Sequence, residues 1–110
     1  MGDDALGEFE QIVLLAILRL ENEAYGVPIR QEIIDCTGRS PSPVALYTVL
    51  ERLQAKGMVA SQMGGATAER GGKPKRYYNV TAKGVASVTR SQRAYHRLLK
   101  GLSISKLANA

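Results

Sequence analysis

The sequence predicts a mainly α fold with a small two-stranded antiparallel hairpin and a long C-terminal helix. Three observations lead there. Apolar residues recur at helical spacing in four separate stretches of the 110 residues. Only Lys75–Val80 alternates with period two, and it follows a short apolar run and a glycine-rich tip. Capping residues stand where helical stretches begin, and glycines where they stop. The length suits one domain with one core.

The elements follow in order. Phe9, Ile12, Val13, Ala16, Ile17 and Leu20 form one stripe along residues 9–20. Leu14, Leu15 and Leu18 widen it. A helix apolar nearly all round is buried on several sides. In a domain this small, a second subunit is the expected cover for Leu14 and Leu18. Residues 21–26 form a polar turn, and Pro28 suits the first turn of the next helix. Ile29, Ile33 and Cys36 recur at i, i+4, i+7 and are expected to face inward, with Cys36 as a core filler. Gly38 stops that helix.

Ser42 is a natural N-cap for the third helix, with Pro43 at its first position. Leu46, Val49, Leu50 and Leu53 form its inward stripe, and Lys56-Gly57 ends it. A strand over residues 58–63 leads into a tip over residues 64–74 that holds four glycines and one proline. Tyr78 and Val80 of the returning strand should face the core. Thr81 caps the last helix. There Val85, Val88, Gln92, Tyr95, Leu99 and Leu102 recur at alternating spacings of three and four, a heptad seam. Such a helix is too long to bury its whole seam on so small a body, so a copy of itself is the expected partner. Gly101 weakens its end by about 1 kcal/mol relative to Ala. Three helices followed by a two-stranded basic hairpin is the winged helix-turn-helix arrangement. It is expected over residues 8–80, with a dimerisation helix over residues 81–110.

Composition excludes several classes. The single Cys36 rules out an intramolecular disulfide and a cysteine zinc cluster, and the single His96 rules out a His-pair metal site. No metal, cofactor or catalytic constellation is expected. The longest strictly apolar run, residues 12–18, is far short of the roughly 20 residues of a membrane span. The acidic Met-Gly-Asp-Asp start is unlike a signal peptide, so a cytoplasmic protein with no membrane partner is expected. The net charge of +5 conceals a sharper division. Residues 1–38 carry a net −6, and residues 39–110 carry a net +11. A basic part of this kind is the electrostatic footprint of a nucleic-acid binder.

The third helix offers Ser42, Val44, Ala45 and Thr48 on its exposed side, small enough to let a helix sit deep in a major groove. Tyr47 and Arg52 flank them within reach of phosphates. Arg70, Lys73, Lys75 and Arg76 cluster in and beside the glycine-rich tip, where cations release counterions from a phosphate backbone. The tip lacks a phosphate-loop pattern and opens no helix. The expected partners are double-stranded DNA and a second copy of the chain. The alternative is a winged-helix module that binds proteins and reads no DNA.

Two blocks carry a family resemblance. Leu46-Tyr47-x-x-Leu50-x-Arg52-Leu53-x-x-x-Gly57-Met58-Val59 precedes Gly71-Gly72-Lys73-Pro74-Lys75-Arg76-Tyr77-Tyr78-x-Val80-Thr81-x-x-Gly84, with Tyr25-Gly26 upstream. Together they resemble the PadR family of bacterial transcriptional regulators over roughly residues 9–85. The chain departs from that pattern at Val44-Ala45, where many relatives have Gly-Thr or Gly-Ala. The resemblance implies a homodimeric repressor on an inverted-repeat operator. DNA would meet Ser42, Val44, Tyr47, Thr48 and Arg52 from the helix and Arg70, Lys73 and Lys75 from the wing. It also implies a small lipophilic or aromatic inducer. With no Trp in the chain, Tyr95 or Phe9 would supply an aromatic platform for it.

Overall fold

The computed structural model describes residues 5–64 and 74–103. Helix α1 spans Glu8–Leu20. Its first turn closes on itself, because the Gly7 N–H donates to the Glu10 carboxylate at 2.9 Å. That satisfies a backbone donor left free at a helix start. A 3-10 turn, Glu21–Glu23, follows and leads into α2, Gly26–Thr37. Gly38 ends α2 at φ 76°, a left-handed conformation that favours glycine. Helix α3, Pro43–Ala55, starts as expected: Ser42 Oγ accepts from the Ala45 N–H at 3.1 Å.

Strands β1, Val59–Gly64, and β2, Lys75–Val80, pair antiparallel. Val59 stands opposite Val80, and Ser61 opposite Tyr78. That register puts Val59 and Tyr78 in the core, with Val80 packed against its edge. Met58 is wholly buried just before β1 rather than within it. Helix α4, Ala82–Leu99, is capped by Thr81 Oγ1, which accepts from the Gly84 N–H at 3.1 Å.

One apolar core joins all these elements. Leu14 and Ile17 of α1, Ile29 and Ile33 of α2, Leu46, Leu50 and Leu53 of α3, and Met58 are essentially inaccessible to water. A buried ion pair borders the core. Lys56 Nζ, at the end of α3, donates to Glu10 Oε2 at 2.9 Å and Oε1 at 3.1 Å. It also donates to the Ala5 carbonyl at 3.3 Å. Burial by itself would raise the Glu10 carboxyl. Hydrogen bonds from Gly7 and Lys56, with the charges of Lys56 and Arg52, more than offset that and hold it below its ordinary value.

Several expectations are corrected. Leu14 is fully buried in the core of its own chain and has no surface left for a second copy. Val88 is likewise spent on the core. Cys36 is exposed, not a core filler. Instead α1 and α2 flank a groove of about 240 Å³ lined by Ile12, Leu15, Ile33 and Cys36 among others. The heptad seam does not run as one helix to Leu102. Helix α4 stops at Leu99, Gly101 takes φ 84°, and Leu102 is exposed beyond the helix.

Candidate nucleic-acid interface

The turn before α3 is held from α2. Arg30 Nε donates to the Pro41 carbonyl at 2.6 Å, and its Nη2 donates to Ser40 Oγ at 3.1 Å. These bonds set the angle at which α3 leaves the turn. The N-terminal end of α3 then stands clear of the body. Ser42, Val44, Tyr47, Thr48 and Arg52 are all exposed, Val44 by 76%. The Thr48 hydroxyl donates to the Val44 carbonyl at 2.9 Å, so its methyl group, Val44 and Ala45 make the tip of this face largely apolar. Contact with a thymine methyl suits such a surface.

Beside α3 lies β2. A polar cleft of about 670 Å³ separates them, lined by Tyr47, Glu51, Gln54, Ala55, Arg76 and Tyr78. Arg76, exposed on β2, donates to Ser61 Oγ across the hairpin at 3.0 Å. Burial raises the Tyr78 phenol, so it stays neutral at this cleft. Lys75 is exposed, with its ammonium 5.1 Å from the centre of the Tyr25 ring. The structure thus brings the α3 residues and Lys75 to neighbouring elements. Arg70 and Lys73 lie outside the described residues. Composition had no way to mark Tyr25, Gly26 or Arg30 as residues that shape this face. Only Tyr25-Gly26 left a trace, as part of the family pattern.

The expected dimer surface divides. Leu18, Val85, Tyr95, Leu99 and Leu102 are exposed, and Leu15 and Leu98 join them. Gln92 is not open in the same way: its amide donates to Gln11 Oε1 on α1 at 3.2 Å. Next to that bond lies a depression of about 490 Å³, lined by Gln11, Ile12, Leu15, Arg39, Gln92 and Tyr95 among others. Phe9 is not among the residues lining it; the Arg39 guanidinium sits 5.3 Å from its ring centre. Arg39 also pairs with Glu8 at 2.7 Å. Among the described residues no group of His, Cys, Asp and Glu could hold a metal ion, and no helix is long and apolar enough to cross a membrane.

Comparison with known proteins bears on this geometry. The pattern of the transcriptional regulator PadR-like family matches residues 14–90. A PadR family transcriptional regulator from Eggerthella lenta is 27% identical, with a TM-score of 0.66 over 92% of this chain and 86% of that one. A PadR-like transcriptional regulator from Bacillus cereus is 18% identical, with a TM-score of 0.72 over 93% of this chain and 92% of its own. A transcriptional regulator from Clostridium thermocellum is 22% identical, with a TM-score of 0.67 over 83% and 85%. No curated protein matches the sequence.

Proposed function

The chain belongs to the transcriptional regulator PadR-like family, and we propose that it acts as a homodimeric repressor on an inverted-repeat operator. The observation that carries this reading is the exposed N-terminal face of α3 beside a cationic strand. Ser42, Val44, Thr48 and the free end of α3 meet base edges, while Tyr47, Arg52, Lys75 and the tip cations Arg70 and Lys73 meet phosphates. Residues 8–80 then read DNA, and residues 81–110 join two copies. Leu18, Val85, Tyr95, Leu99 and Leu102 supply the joining surface.

Two copies carry twice the +5 of one chain. If about eight cations per dimer contact phosphates, log K falls against log salt with a slope near −7. The two recognition helices stand about 34–36 Å apart, one duplex turn. A gel shift on the chain's own promoter, repeated across salt concentrations, tests this. Affinity that ignores salt, or a chain that sediments as a monomer while still binding duplex, sinks it. Substituting Lys73 and Lys75 by Glu should abolish the shift and leave the dimer intact. Loss of a protein partner instead, with no DNA bound by the parent chain, would identify a protein-binding module.

The depression between α1 and α4 is the place for a small lipophilic or aromatic inducer, with Tyr95 as its aromatic wall. Thermal shifts across a panel of phenols and lipophilic drugs test that, and a flat panel removes it.

A further inference from the structure

Three consecutive residues ahead of and at the start of α2 touch both elements assigned to DNA. The Ala24 carbonyl accepts from the Tyr78 N–H at 2.8 Å, tying β2 to this segment outside its own sheet. The Tyr25 ring meets Tyr77 edge to face, with centroids 5.4 Å apart and planes at 64°. The Lys75 ammonium stands over the same Tyr25 ring. Tyr77 in turn packs against Gly64 on β1, so close that a Cβ at Gly64 would overlap its ring. On the other side, a Cβ at Gly26 would overlap the Tyr47 hydroxyl of α3.

From these contacts we propose that residues 24–26 are a positioning hub, in which the Tyr25 ring sets the hairpin and aims Lys75, while Gly26 seats Tyr47 and so α3. The proposal rests on the DNA-binding reading above. It assigns to Tyr25 a role through other residues, not a contact of its own. An edge-to-face ring pair is also ordinary packing. Here, however, Tyr25 and Tyr77 are only half-buried, and neither belongs to the apolar core. Removing the ring therefore leaves the body folded and frees the hairpin. A cation over a ring face is attracted to it, which holds the Lys75 ammonium on one side of the strand. Glycine at 26 and 64 is required by close approach, since neither has a positive φ.

The test has two arms. In the free protein, Tyr25→Ala should speed amide exchange across Lys75–Val80 by about tenfold while leaving α1 unchanged, as expected for local opening. Tyr25→Phe keeps the ring and should match the parent. The second arm uses a duplex selected by the parent protein from a random library. Tyr25→Ala should weaken binding to it by about tenfold, and Tyr25→Phe should restore it. Lys73→Gln should then cost much less in the Tyr25→Ala background than in the parent, because a misplaced hairpin no longer delivers its charge. A merely structural Tyr25 would leave the two effects additive.

Unchanged exchange in Tyr25→Ala, strict additivity, or a Tyr25→Phe as damaging as Tyr25→Ala overturns the proposal. Should Tyr25→Ala fail to fold, Tyr77→Leu opens the same contact from β2 and carries the same comparison. If the parent selects no duplex, the DNA reading falls, and the exchange arm still decides whether Tyr25 holds the hairpin.

Discussion

The two halves of α4 carry one apolar repeat and meet opposite fates. In the first half, Gly84, Ser87 and Val88 are buried. Gly84 is pressed so tightly to the Met58 carbonyl and Val80 that a Cβ would overlap both. In the second half, Tyr95 and Leu99 are about half exposed, and Leu98 is 75% exposed. Nothing in the side chains separates the halves. The cover thins: α1 meets α4 as far as the Gln11–Gln92 hydrogen bond and the open depression beside Tyr95, and Leu98 and Leu99 beyond are exposed. An apolar stripe states a demand for cover, and only neighbouring elements decide whether the same chain meets it. The uncovered half is where a second chain gains most.

That contrast can be broken in several ways. The most severe loosens the support of the first half. Lys56→Met leaves the Glu10 carboxylate buried without its cation, and breaking such a pair costs about 3 kcal/mol. Denaturant titration of the variant checks it. The pH dependence follows. The Glu10 carboxyl lies below its ordinary value in the folded chain. Its contribution is therefore complete above the ordinary carboxylate range and is lost progressively as pH falls from there through its lowered folded value. The deficit of Lys56→Met should be largest at neutral pH and shrink as pH falls, because acid removes the paired carboxylate's contribution from the parent and the variant has little of it to lose. An identical acid profile in both proteins contradicts that assignment.

Next in size is the open half. Replacing Tyr95 and Leu99 together by Asp should weaken self-association about 30-fold, the scale of losing a central interface anchor. The melting point of the monomeric body should hardly move. Sedimentation against concentration gives the first value and calorimetry the second. Val88→Ala is the mirror experiment. It should cost about 2 kcal/mol of folding stability through lost burial and a cavity, with association following only indirectly. If Val88→Ala and the double Asp variant behaved alike, the division of α4 would be wrong. The smallest effect is expected at Arg39→Ala. Arg39 pairs with exposed Glu8 at the surface, and such pairs contribute under about 1 kcal/mol. Double-mutant analysis with Glu8→Ala measures it.

Much of this was readable from residue types. The N-caps Ser42 and Thr81 act by local hydrogen bonds to backbone three residues on, so their roles need no tertiary information. The alternation of Tyr78 and Val80 across β2 is equally local. Cys36 and Leu14 show where that reading stops. Both were placed by helical phase, and both were misassigned, in opposite directions. Phase says which residues share a side of a helix. It does not say that Cys36 comes to line an open groove between α1 and α2. Nor does it say that the chain's own core already covers Leu14. Tyr25 stood out only as part of the family pattern, and its role was hidden for a related reason: its partners Tyr77 and Lys75 are some fifty residues away in the chain.

Residue order alone sets the N-caps of α3 and α4 and the glycine stop of α2, which strand face is apolar, and how charge divides along the chain. These follow from backbone geometry and short-range bonds, which act over a few residues. Packing chose the rest. It buried Val88 and left Leu99 open, gave Lys56 to Glu10, and set Tyr25 against the hairpin and Gly26 against Tyr47 of α3. Those outcomes depend on which distant surfaces come within van der Waals contact, and that is known only once all the elements are in place.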